Sequence, residues 1–172
     1  MTIEDLREKM PDFAKDIKLN LGNVLTTEGA PDLTINQIMG IALTSAHTTR
    51  NREIILHFEE DAALHVLPAE KQAAKAAATI MAMNNVYYRF THLVQDEEFS
   101  KMPAKLRMNI IANSGIPKLD FELYCLAASA INGCGMCMEA HVHEVIKGGV
   151  SKLGVQSAIR IAAVINAAAQ AV

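Results

Sequence analysis

Apolar residues recur along this chain at the period of a helix almost from end to end. In "FAKDIKLNLGNVL", Phe13, Ile17, Leu21 and Val24 fall at intervals of three to four, which puts them on one stripe. "TINQIMGIALTSA" runs apolar through Ile35, Ile38, Ile41 and Ala42, the pattern of a buried helix. The segment from Pro68 to Val94 opens with a proline, which a first helical turn tolerates, and continues Ala-rich. "DFELYCLAASAIN" predicts a helix capped by Asp120 after Pro117. "SKLGVQSAIRIAAVINAAAQ" predicts one capped by Ser151, just past the stop at Gly148 and Gly149. Between them, "KMPAKLRMNIIANSGIPKL" is punctuated by Pro103, Gly115 and Pro117 and reads as a short helix followed by a turn. No stretch alternates apolar and polar residues between hairpin turns, so strands are not expected. The pattern predicts an all-α, single-domain helical bundle over residues 1–172.

The two halves, roughly 1–100 and 101–172, resemble each other faintly. "IALTSAHTTRNREIILH" aligns with "CLAASAINGCGMCMEAH", so that His57 answers His141, and "ATIMAMNN" answers "IAAVINAA". A duplicated helical unit is the expectation, with the cysteines only in the second copy.

Composition narrows the function classes. At 51% hydrophobic and 20% charged, the chain has the balance of a soluble globular protein. A net charge of -3, with no basic block or aromatic-studded basic stripe, gives no electrostatic basis for nucleic acid. The apolar runs are interrupted by Lys, Glu, Gln or Asn before reaching the roughly 20 residues of a membrane span. The start, "MTIEDLREKM", is acidic and amphipathic, unlike a secretory signal, and a cytoplasmic location is expected. Three cysteines, an odd count, argue against an extracellular disulfide scaffold.

The chemistry concentrates in "INGCGMCMEAHVHEV". Gly133 and Gly135 flank Cys134 and let the backbone turn sharply there. A helix from about Cys134 to Ile146 places Cys134, Cys137 and His141 at i, i+3 and i+7, all on one face. Unpaired N–H groups at a helix start favour a thiolate, and an imidazole one turn away can take its proton. Glu122, set among Phe121, Leu123, Tyr124 and Leu126, is costly to bury without a partner, and a histidine on the next helix would supply one. Three readings fit this set: a redox dithiol, a metal site using Cys134, Cys137, His141 and His143, or two packing cysteines. Structural zinc needs four ligands in a tetrahedron, and His143 lies on another face of the same helix.

The spacing of Glu122, Cys134, Cys137 and His141 resembles the active-site signature of the alkyl hydroperoxidase D family, within the wider carboxymuconolactone decarboxylase-like superfamily. The likeness extends to the helical content and the two-half layout. The resemblance implies a dithiol peroxidase acting on organic hydroperoxides. Cys137 would be the peroxidatic thiol that becomes a sulfenic acid, and Cys134 the proton donor and resolving thiol that closes a Cys134–Cys137 disulfide. His141 would be the base, and Glu122 the carboxylate that acts through it. It further implies reduction by a lipoyl-bearing acyltransferase with its dihydrolipoamide dehydrogenase, a peroxiredoxin partner, and a homo-oligomer built as a trimer or a multiple of one. No cofactor or metal is called for. Close members of the family often carry a histidine just before the second cysteine, where this chain has Met136. A decarboxylase-type enzyme with no thiol chemistry, and a metal-binding module, are the alternatives.

Other residues carry blander expectations. Cys125 reads as an inert core thiol. His47, His57, His65 and His92 read as capping, packing or surface residues, and Glu139 as solvated. Ser129 either packs between helices or reaches Glu122, with packing favoured. The acidic run from Asp96 to Phe99 is a solvated loop or helix end. The methionines fill gaps, and Met136 and Met138 could line an apolar entrance. Ala-rich helices approach each other closely and leave a monomer little area to bury, which points to a homo-oligomer.

Overall fold

The structure is a computed structural model and describes residues 1–172. Ten α-helices and no strands make up the chain, the all-α class expected: α1 (Ile3–Lys9), α2 (Lys15–Val24), α3 (Ile35–Thr49), α4 (Arg52–Ala62), α5 (Pro68–Leu93), α6 (Glu97–Lys101), α7 (Asn109–Ala112), α8 (Lys118–Asn132), α9 (Gly135–Lys147) and α10 (Lys152–Ala171). No helix is long and apolar enough to cross a membrane.

Local chemistry explains most boundaries. Thr2 and Asp5 close a capping box on α1, and Thr34 and Gln37 close one on α3. Ser151 caps α10 by accepting from the Gly154 N–H. At α8 the expected cap is three residues too late. The helix starts at Lys118 behind Pro117, whose ring presets the entering backbone, so Asp120 sits inside the first turn rather than capping it. There Asp120 faces the positive end of the helix and accepts from the Gln37 side chain at 2.9 Å. Helix α2 also differs. Phe13 belongs to a single 3₁₀ turn before the helix and is 83% exposed, which leaves the buried stripe to Leu21 and Val24. Ile35, at the first position of α3, is 38% exposed, and burial begins at Ile38.

Helices α3 and α8 pair at the centre, and α5 and α10 pack against both. Every residue from Phe121 to Ser129 is buried, so α8 has no polar face and Glu122 is committed to the interior. The small faces of α5 (Ala73, Ala74, Ala77) and α10 (Gly154, Ala158, Ala162) admit close approach. At the α3–α8 crossing, Gly40 lies under Tyr124, and a Cβ there would overlap the phenol hydroxyl. That hydroxyl is buried with no hydrogen-bond partner, and burial pushes its pKa upward. Gly40→Ala is therefore expected to lower stability. Overpacking costs ~1–3 kcal/mol, of which helix propensity returns at most ~1 kcal/mol. Adding Tyr124→Phe should restore part of the loss, because it removes the hydroxyl that overlaps most and has no partner, while the ring carbons Cζ and Cε1 still crowd the new Cβ. Thermal unfolding of the single and double variants checks this, and an additive double variant would contradict it.

The helix pairs α3–α4 and α8–α9 end and begin alike. Both α3 and α8 run fifteen residues and stop at a left-handed residue, Arg50 (φ 61°) and Gly133 (φ 72°). The next residue, Asn51 or Cys134, caps the following helix. Matched on these ends, His141 stands opposite Phe58, one position from the His57 that sequence alignment paired with it.

Candidate active site

Three helices meet at the site: α5, α8 and α9. Gly133 closes α8 in a left-handed conformation that costs glycine nothing. Its N–H reaches the Ala130 carbonyl at 3.2 Å, and the Cys134 N–H reaches Ser129 at 3.1 Å. This tight reversal delivers Cys134 as the cap of α9. Its Sγ accepts from the Cys137 N–H at 3.3 Å, the place a serine or aspartate oxygen commonly takes. Cys134 and Cys137 are joined in a disulfide, S–S 2.08 Å with Cα atoms 5.3 Å apart. Both sulfurs sit where the free N–H groups of the first turn favour negative charge.

One turn further along α9, His141 turns its Nδ1 to the Glu122 carboxylate at 2.6 Å. Glu122 is buried and His141 nearly so, which gives this charge-assisted contact little competition from water. The carboxylate orients the ring and aims Nε2 across the site, where it lies 3.3 Å from the Met81 thioether. A cavity of about 220 Å³ opens between α5 and α9, with Cys137 and His141 on one wall. Met81, Asn84, Tyr88, Ile111, Met136 and Ala140 make the rest. Cys134 is fully buried and lies outside this wall, whereas Cys137 is 7% exposed on it.

The sequence reading thus finds its four residues in one place. His143 does not join them: it is exposed on another face of α9, as is Glu139. With His143 in solvent and the two sulfurs bonded to each other, the four ligands of a zinc site do not converge. Ser129 takes the packing role. It accepts from Asn85 at 2.9 Å and does not touch Glu122. Cys125 is buried, and desolvation pushes its thiol pKa well up, so it stays protonated. His57 is buried with Nδ1 2.6 Å from the Thr2 carbonyl. His47 lies 3.3 Å from Glu59, its pKa lowered chiefly by burial. His65 and His92 are on the surface.

Sequence reasoning missed the contribution of α5. Met81, Asn84 and Tyr88 line the cavity, and Asn85 ties α5 to α8 through Ser129 and Asn132. A signal was present. "IMAMNNVYY" sets two amides in the middle of an apolar helix, which invites the same question as Glu122 does in α8.

The family model described as "Carboxymuconolactone decarboxylase family" matches residues 97–172, the part that carries α8, α9 and α10. Within that class the chain is 54% identical to the alkyl hydroperoxide reductase AhpD of Coxiella burnetii (strain RSA 493 / Nine Mile phase I), over 98% of this chain and 95% of that one. It is 52% identical to the protein of the same name from Rhodospirillum centenum, covering 98% and 89% of the two chains. For the one from Methylocella silvestris the figures are 48%, 98% and 93%. The chain belongs to the alkyl hydroperoxide reductase AhpD family.

Proposed function

We propose that the protein is a dithiol peroxidase that reduces organic hydroperoxides through a Cys134–Cys137 thiol/disulfide cycle. The observation that carries this reading is the shared cavity: a sulfur and an oriented imidazole face one small apolar space, with a buried carboxylate behind the ring. In the reduced protein, His141 takes the Cys137 proton, and Glu122 stabilises the imidazolium that results. The Cys137 thiolate attacks the terminal oxygen of the hydroperoxide. The O–O bond breaks, Cys137 becomes a sulfenic acid, and the leaving alkoxide takes the Cys134 proton to depart as the alcohol. Cys134, now a thiolate, displaces hydroxide from the sulfenic acid, and the proton held by His141 turns it into water. Two thiols and one hydroperoxide give one disulfide, one alcohol and one water.

Met136 stands on the cavity wall where close relatives of this family often place a histidine. The wall is then more apolar, which suits an organic rather than an inorganic peroxide. The disulfide must be reopened by a dithiol donor. A lipoyl-bearing acyltransferase with dihydrolipoamide dehydrogenase fits that chemistry, and the reduced dithiol can pass electrons to a peroxiredoxin. Such a cycle belongs in the reducing cytoplasm. The domain reading is one AhpD-like unit with its chemistry in the second half. Along the end of α5 and into α6, Val86, Phe90, Leu93 and Phe99 are exposed and apolar, a surface consistent with a homo-oligomer built on threes. A decarboxylase-type activity would leave the cysteine pair and its histidine without a task.

Titrating the reduced protein with cumene hydroperoxide, counting thiols and mapping the product by mass spectrometry tests the proposal. The expected result is two thiols lost per hydroperoxide and a Cys134–Cys137 peptide. A bridge to Cys125, or no loss of thiols, would end it.

A further inference from the structure

The cavity carries an anomaly that the dithiol cycle leaves unexplained. Asn84, on α5, is 5% exposed and lines the same wall as Cys137 and His141. Its Nδ2 donates to the Met108 thioether at 3.2 Å, while its Oδ1 is buried and has no partner. The opposite amide orientation would set that oxygen against the sulfur, lone pair to lone pair, so the carbonyl is the end left without a donor. The neighbouring amide shows what satisfaction looks like here: Asn85 donates to Ser129 at 2.9 Å and accepts from Asn132 at 3.0 Å. A buried acceptor without a donor is destabilising, and native interiors rarely keep one. The Tyr124 hydroxyl, also unpaired, is locked in the α3–α8 crossing, whereas Asn84 belongs to a cavity wall, where a ligand can bring the donor. Apart from Asn84 and the reacting wall of Cys137 and His141 the lining is apolar, with Met81, Ile111 and Met136 around it, so the ligand is an apolar body bearing one O–H or N–H donor.

Resting on the peroxidase reading above, we infer that Asn84 is the recognition subsite for the terminal O–H of an alkyl hydroperoxide. The terminal oxygen of ROO–H is both the only donor in the substrate and the atom that Cys137 attacks. Donation to Asn84 Oδ1 fixes that oxygen on the cavity wall and leaves the O–O bond free to align with the thiolate. During transfer the oxygen keeps its hydrogen: the S–O bond forms, the O–O bond breaks, and the alkoxide leaves to be protonated by Cys134. The same O–H···Oδ1 hydrogen bond therefore spans substrate, transition state and Cys137 sulfenic acid. Selectivity follows. Hydroperoxides with a compact apolar group, fitting about 220 Å³, are recognised, and oxidants without an O–H gain nothing from Asn84.

The test compares two oxidants of the same dithiol in reduced wild-type protein and in Asn84→Leu. Cumene hydroperoxide carries the O–H, and diamide does not. The expected result is a fall of about tenfold in the rate of disulfide formation by cumene hydroperoxide, the worth of one lost hydrogen bond, with the diamide rate unchanged. Asn84→Ala, smaller and free of steric intrusion, should show the same contrast. Equal losses with both oxidants would reduce Asn84 to a structural residue and overturn the inference, as would no loss with either. A wild-type protein oxidised by diamide but inert to cumene hydroperoxide would overturn the peroxidase reading and this inference together, an outcome distinct from the other two.

Discussion

Cys137→Ser is expected to abolish hydroperoxide turnover, by on the order of 10³-fold or more, since a serine hydroxyl is not ionised under conditions where a thiol can be. Cys134→Ser should behave differently. Its Cys137 thiol still reaches the cavity, so a single turnover proceeds, slowed by the lost proton donor, and then stops at a sulfenic acid that dimedone traps. The asymmetry comes from placement. Cys137 is on the cavity wall, while Cys134 is sealed beneath it as the cap of α9. Stopped-flow thiol loss and mass spectrometry of the dimedone adduct read both variants. An adduct on Cys134 in Cys137→Ser, with none on Cys137 in Cys134→Ser, would reverse the assignment. Cys125 supplies no rescue in either case, because burial keeps its thiol protonated and away from the cavity.

The parts of this site that could be read from sequence are those set by local geometry. Cys134, Cys137 and His141 lie within eight residues, and the helical period alone puts them within reach of one another. Glu122 was legible for another reason: an ionisable group in a helix with no polar face has to find a partner, and the adjoining helix offers one. The α5 wall obeys neither rule. Which face of a 26-residue Ala-rich helix meets α9 depends on how α3, α8 and α10 pack, and that is decided by contacts far apart in the chain. Asn84 and Asn85 are adjacent, yet Asn85 ties α5 to α8 and Asn84 lines the cavity, a distinction only the packing makes. Helix α4 was not singled out either. Asn51 accepts from Glu53 and Ile54 at its start, but the buried set Ile54, His57, Phe58 and Ala62 includes a histidine that weakens the apolar pattern. The half-to-half alignment slipped by one position because Ala-rich helices match by composition in several registers. The left-handed ends at Arg50 and Gly133 fix the register that composition left loose.

Glu122→Gln keeps the size of the side chain and removes its charge, and this is expected to slow peroxide reduction by ~10²-fold or more, the scale of a disabled proton-transfer partner. Glu122 touches neither substrate nor sulfur, so it is a positioning residue whose effect passes through the 2.6 Å contact with His141 Nδ1. The pair is close and nearly shielded from water, where a charge-assisted hydrogen bond is strongest, so the carboxylate holds the ring with Nε2 turned into the cavity. A glutamine at this position keeps the volume and weakens that hold. Stopped-flow thiol loss with cumene hydroperoxide, set beside thermal unfolding of the same variant, separates lost positioning from lost stability. A variant that unfolds like the wild type and still reacts at the wild-type rate would show that the contact does not serve the reaction.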